Sequence, residues 1–160
     1  MEQINKILES VNVQSFMFHA GHENPAQHLR NVTQNVPQVP GIYLVFYEGE
    51  VFDEADYLKY FVNGTTLTLA YFGIAKGGDG PSYKTNQGLK GRINNVVENN
   101  IQRAKYWDLR MSENNIQTFY VFYLAIDLPK EIEDNIYDEL DEQNLIYPFL
   151  NQKRGRPNGN

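Results

Sequence analysis

An α+β fold, with a small antiparallel sheet of about three strands flanked by helices, is predicted by three features of this sequence. The runs 41–49, 65–75 and 118–126 are rich in β-branched and aromatic residues and read as strands. Apolar residues recur at helical spacing before, between and after them. The first two runs are joined by a single loop, which favours antiparallel pairing. The length, 160 residues, suits one domain.

Ile4, Ile7, Leu8 and Val11 predict a short amphipathic helix. Residues 19–40 are polar and punctuated by Pro25, Pro37 and Pro40, which predicts mostly loop. A Pro-Gly turn then introduces the strand 41–49. Residues 50–60, with Asp53, Glu54 and Asp56, read as an acidic surface excursion. Asn63-Gly64 is a tight-turn signal leading into the strand 65–75. Residues 77–88 are loop by composition, and their glycines lack the Gly-Lys-Ser/Thr ending of a phosphate-binding loop. Leu89, Ile93, Val96, Val97, Ile101 and Ala104 predict one helix over 89–107. The strand 118–126 is apolar almost throughout and is expected to be central. Pro129 suits the first turn of a last helix, which Ile132, Ile136, Leu140 and Leu145 carry to about Tyr147, before Pro148. The chain divides into a helix-and-loop extension (1–37), a main domain (38–151) and a basic tail (152–160).

Composition removes several function classes. There is no cysteine, so a disulfide scaffold, a thiol nucleophile, a zinc ribbon and an iron–sulfur centre are excluded. No apolar run approaches the roughly 18 residues of a membrane span. The start, MEQINKILES, lacks the basic and apolar regions of a secretory signal, so a cytoplasmic protein is expected. The net charge of −6 is unevenly spread: 76–110 carries 7 basic and 3 acidic side chains, and 111–147 carries 1 basic and 9 acidic. A basic middle allows a phosphate-binding face on an acidic protein. Within it, Arg103, Lys105 and Arg110 with Tyr106 and Trp107 between them suggest an edge that contacts nucleic acid. His19, His22 and His28 form a loose cluster without an evident further metal ligand.

Chemistry is suggested by one ordered set of residues. Gly41-Ile42-Tyr43 lies in the first strand and Tyr71-Phe72-Gly73 in the second. Arg92 follows in Leu89-Lys90-Gly91-Arg92, and a carboxylate-rich helix precedes Pro148-Phe149-Leu150-Asn151. The set resembles the GIY-YIG nuclease family over residues 38–151. The resemblance implies a GIY-YIG-like fold and hydrolysis of DNA phosphodiesters with one magnesium or manganese ion per site. By match, Tyr43 is the base and Tyr71 its support, although the sequence alone does not order them. Arg92 would clamp a phosphate, as a permanent planar cation can. The metal would be held by Glu142, which has Leu145-Ile146 at the family's offset, or by Glu139, which has the family's distance to Asn151. Asn151, or more weakly Asn158, matches the supporting asparagine. Phe72 replaces the family's isoleucine, and Val96 stands where many members carry a histidine. Lys76 and Lys84 are the nearest replacements for that histidine by sequence. DNA contacts are expected from Lys76, Lys90, Arg103 and Lys105. A duplex-cutting enzyme with one site per chain would act as a homodimer or act twice. The rival expectation is a non-catalytic binding module on the same fold.

Overall fold

A computed structural model of the chain describes residues 2–49, 57–76, 88–97 and 100–151. Twelve elements follow in order: α1 (Glu2–Leu8), β1 (Gln14–His19), α2 (Pro25–Val32), β2 (Gly41–Glu48), β3 (Lys59–Val62), β4 (Thr65–Ala75), α3 (Leu89–Asn94), β5 (Val96–Val97), β6 (Asn100–Ile101), α4 (Arg103–Glu113), β7 (Thr118–Ala125) and α5 (Pro129–Glu142). The fold is α+β, and its main sheet is fully antiparallel. It has five strands in the order β1-β7-β2-β4-β3, rather than about three.

Both additional strands are edges. β1 reads Gln-Ser-Phe-Met-Phe-His and pairs with β7. Only Phe18 of this strand is fully buried, so its apolar content is too thin to stand out. β3 is joined to β4 through Asn63-Gly64, both at positive φ (50° and 81°), the geometry of a two-residue hairpin turn. The stretch 19–40 is not mostly loop. Pro25 begins α2 rather than breaking the chain, because a first-turn proline forfeits no helical hydrogen bond. Asn24 caps that helix, its side chain accepting from the Gln27 amide at 3.1 Å.

The helix expected over 89–107 is divided. Asn95 takes a left-handed conformation (φ 51°) that ends α3, and the small β5–β6 pair separates it from α4. The last helix stops at Glu142 instead of Tyr147, and Asn144 at φ 55° lies just beyond.

β2 is the middle strand and is buried on both faces, which explains its unbroken apolar run. One face of the sheet carries Tyr43, Val45, Tyr47, Val121 and Phe119, packed with Leu29, Leu89, Ile93, Trp107 and Met111 of α2, α3 and α4. The opposite face carries Ile42, Leu44, Phe46, Leu69 and Phe72, packed with Ile4 and Ile7 of α1 and Ile136, Tyr137 and Leu140 of α5. None of the described helices is long and apolar enough to cross a membrane.

Candidate functional site

Strand register brings the motif tyrosines together. Tyr43 pairs directly with Gly73 across β2 and β4, which makes Tyr71 its diagonal neighbour on the same face. Their ring centroids are 5.7 Å apart. Gly73 is required by this arrangement: a Cβ there would lie 2.7 Å from the Tyr43 hydroxyl and 2.9 Å from the Tyr71 ring. Gly41 is required by another: a Cβ would lie 2.4 Å from the Leu124 carbonyl oxygen and 2.6 Å from Leu89. The two motif glycines therefore have separate steric reasons. One admits a tyrosine hydroxyl, and the other admits the helix that carries Arg92.

The start of α3 is tied to the segment before β2. The Leu89 amide donates to the Val39 carbonyl at 2.9 Å, and the Gly91 amide donates to Gln38 Oε1 at 3.0 Å. Arg92 leaves this helix exposed, with its charge acting on Tyr43. Tyr43 is almost wholly buried, whereas Tyr71 is half-buried. Burial holds the Tyr43 phenol well above its ordinary pKa, while the positive charges of Arg103 and then Arg92 pull the other way.

Arg103 is the residue whose position departs most from expectation. It was expected on a DNA-facing surface, yet its side chain turns inward. Its Nη2 donates to the Tyr43 hydroxyl at 3.3 Å, and its guanidinium lies 5.3 Å from the centre of the Tyr71 ring. The neighbouring aromatics form no exposed stacking edge: Trp107 is fully buried between Phe18 and Phe119, and Arg110 lies over Tyr106 and pairs with Glu113. Lys76 and Lys105 are exposed, and Lys90 is half-buried with Nζ 3.4 Å from the Gln34 carbonyl. Lys84 and Asn158 lie outside the described residues.

Asn151 completes the open edge of β4. Its Oδ1 accepts from the Phe72 amide at 2.9 Å, and its Nδ2 donates to the Phe72 carbonyl at 3.0 Å and to the Tyr137 hydroxyl at 3.2 Å. One carboxamide thus does the work of a neighbouring strand in the middle of the Tyr71-Phe72-Gly73 motif.

The two glutamates singled out by sequence are not brought to the tyrosines. Glu139 accepts from the Glu2 and Gln3 amides at 2.7 and 2.9 Å, capping α1. Glu142 is exposed in the last turn of α5, without a hydrogen bond or ion pair to the described residues. Glu133 is the α5 carboxylate whose charge reaches Tyr137, one turn away on the same face, and Tyr71 acts on that same phenol. It also pairs with Lys130 at 3.0 Å. The helical spacing of Glu133, Tyr137 and Leu140 carried this signal, but six further carboxylates on α5 obscured it. Among the described residues no group of three or more histidines and carboxylates is arranged around a common metal position, the histidine cluster included. No known protein family, no curated protein and no solved structure matches the chain.

Proposed function

We propose that the protein is a GIY-YIG-like, divalent-metal-dependent endonuclease that hydrolyses DNA phosphodiester bonds. The observation that supports this most is the convergence of Tyr43 and Tyr71 from separate strands, with Gly73 the residue that makes room for them. Two phenols beside two arginines suit a reaction in which water is aligned and negative charge grows on a phosphate.

Unequal burial supports different tasks for the two tyrosines. Tyr43, enclosed and held protonated, is the supporting group, and half-buried Tyr71 meets the water or phosphate. This reverses the order suggested by family match. Arg92, exposed beside them, is the phosphate clamp. A magnesium or manganese ion would supply Lewis acidity and a more acidic bound water. Of Glu133, Glu139 and Glu142, Glu133 suits that ion best: its charge acts on Tyr137, although it also pairs with Lys130, whereas Glu139 is committed to α1 and Glu142 is exposed. Asn151 holds the β4 edge and so keeps Tyr71 in place. Cutting both strands of a duplex with one site per chain calls for a homodimer or sequential action, and DNA contact would fall to Arg92, Lys76, Lys90 and Lys105.

The test is cleavage of supercoiled plasmid with magnesium or manganese. Wild type should cut, and Tyr71→Phe and Glu133→Gln should each lose about 100-fold or more. Glu142→Gln should cut like wild type. The second reading, a non-catalytic module, draws on the capping role of Glu139 and the protonated state of Tyr43. It gains if wild type cuts no DNA with either metal. In that case, steep loss of DNA binding with rising salt would mark a nucleic-acid partner, and flat or absent binding a protein partner.

A further inference from the structure

Arg103 resembles neither a surface contact nor a simple helix cap. Resting on the tyrosine-pair reading above, we infer that Arg103 is the positioning residue of the site: it locks Tyr43 and Tyr71 into one arrangement and supplies the fixed positive charge beside them.

The side chain starts at the first position of α4 and folds back over α3. Nε donates to the Ile93 carbonyl at 3.3 Å, and Nη2 donates both to the Arg92 carbonyl at 3.2 Å and to the Tyr43 hydroxyl at 3.3 Å. The same guanidinium covers the Tyr71 ring. One planar group therefore joins α3, β2 and β4. Only an arginine has the forked donors and the flat face to do all of this at once.

Its charge is the second observation. No carboxylate among the described residues forms an ion pair with Arg103, although the side chain is partly buried. Removing a cation from water carries a cost that pairing normally offsets. The groups that face it are phenols: Tyr43, Tyr71 and, one turn along α4, Tyr106. A guanidinium beside this pair favours negative charge close to it, whether on the water that Tyr71 meets or on a phosphate.

The third observation is the route by which it arrives. Val96 leaves no ionisable side chain four residues after Arg92. The β5–β6 pair separates the two helices just there, and Arg103, at the start of α4, reaches the tyrosines. Had 89–107 been one helix, residues 92 and 103 would lie about 16 Å apart along its axis. The fold interruption is what brings the second arginine to the pair.

The experiment compares wild type, Arg103→Lys and Arg103→Met. Single-turnover cleavage with manganese is followed against pH, and DNA affinity is measured with calcium in place of manganese. Expected for Arg103→Met is a rate loss of about 100-fold with DNA affinity within about threefold, and a rate–pH curve moved to higher pH. Arg103→Lys should recover part of the rate and bring the curve back. Weakened DNA binding with a shallower salt dependence and an unmoved pH curve would overturn the inference, making Arg103 a phosphate contact. Equal losses in both variants, with a lowered unfolding temperature, would overturn it in favour of a cap on α3. If wild type does not cleave, the nuclease reading fails, and positioning is decided by spectra of the protein carrying ¹³C-labelled tyrosine. Loss of the Tyr43–Tyr71 ring contact in Arg103→Met, restored in Arg103→Lys, supports it, and an unchanged contact refutes it.

Discussion

The two faces of the sheet are built from the same strands but to different specifications. On the α1–α5 face, β2 contributes Ile42, Leu44 and Phe46, and nothing ionisable from the strand is enclosed. On the other face, the alternate residues are Tyr43, Val45 and Tyr47, and a partly buried arginine lies against the tyrosines. Strand alternation sorts these sets without exception along β2. The apolar face tolerates rearrangement so long as volume is kept. The tyrosine face depends on hydrogen-bond geometry that a small shift would end. Charges belonging to the apolar face stay at its rim, where Glu139 meets the amides of α1.

The largest effect should come from the core beneath the tyrosines. Trp107 is fully buried, and Trp107→Ala should lower unfolding free energy by about 3–5 kcal/mol in chemical denaturation. A cost close to zero would mean that the tyrosine face is not a packed core at all. Gly73→Ala comes next, at about 1–3 kcal/mol, because its Cβ would displace the Tyr43 hydroxyl. It should also separate the tyrosine rings, seen as loss of their contact in labelled spectra, whereas a volume change on the opposite face such as Ile136→Val should leave that contact intact.

Asn151→Ala should cost about 1–3 kcal/mol by stranding the Phe72 amide and carbonyl at the β4 edge. Accelerated hydrogen exchange at Phe72, more than at residues paired between β2 and β7, is the specific sign. Glu139→Gln should cost about 1 kcal/mol through the weakened cap on α1. Glu142→Gln should fall within about 0.5 kcal/mol of wild type. Equal effects for the two glutamates would contradict their placement.

The smallest effect concerns the histidines at the margin of the tyrosine face. His28 Nε2 accepts from the His19 amide at 2.9 Å, and its ring stacks on His22 at 3.7 Å. Partial burial first, then the neighbouring charges of His22 and His19, hold His28 below its ordinary value of 6.5. The unfolded chain therefore takes up this proton first on acidification. The stabilising contribution is complete above pH 6.5 and declines as pH falls below it towards the folded value. Melting temperature should drop between pH 7.5 and 5.5, and less steeply in His28→Gln.

Residue patterns legible without a structure were those in which local preference and burial agree. The strands 41–48, 65–75 and 118–125 combine β-branched and aromatic content with burial, and Asn63-Gly64 has one favourable conformation. The first and last helices were legible for similar reasons. The signals of α2, an asparagine followed by a proline ahead of Ala26 and Leu29, were present but were outweighed by the usual reading of proline as a breaker. The break after Asn94 was written in Asn95 and the β-branched Val96-Val97, yet the apolar spacing ran through it.

The sequence by itself determined the α+β class and the strands that carry the two motifs, because these follow from periodicity and local conformational preference. Only the tertiary structure decided that Arg103 turns inward, that Asn151 closes the β4 edge, that Glu139 caps α1 and that Tyr43 is the buried member of the pair. Each of these depends on contacts between residues dozens of positions apart, and no local pattern records which distant partner a side chain will meet.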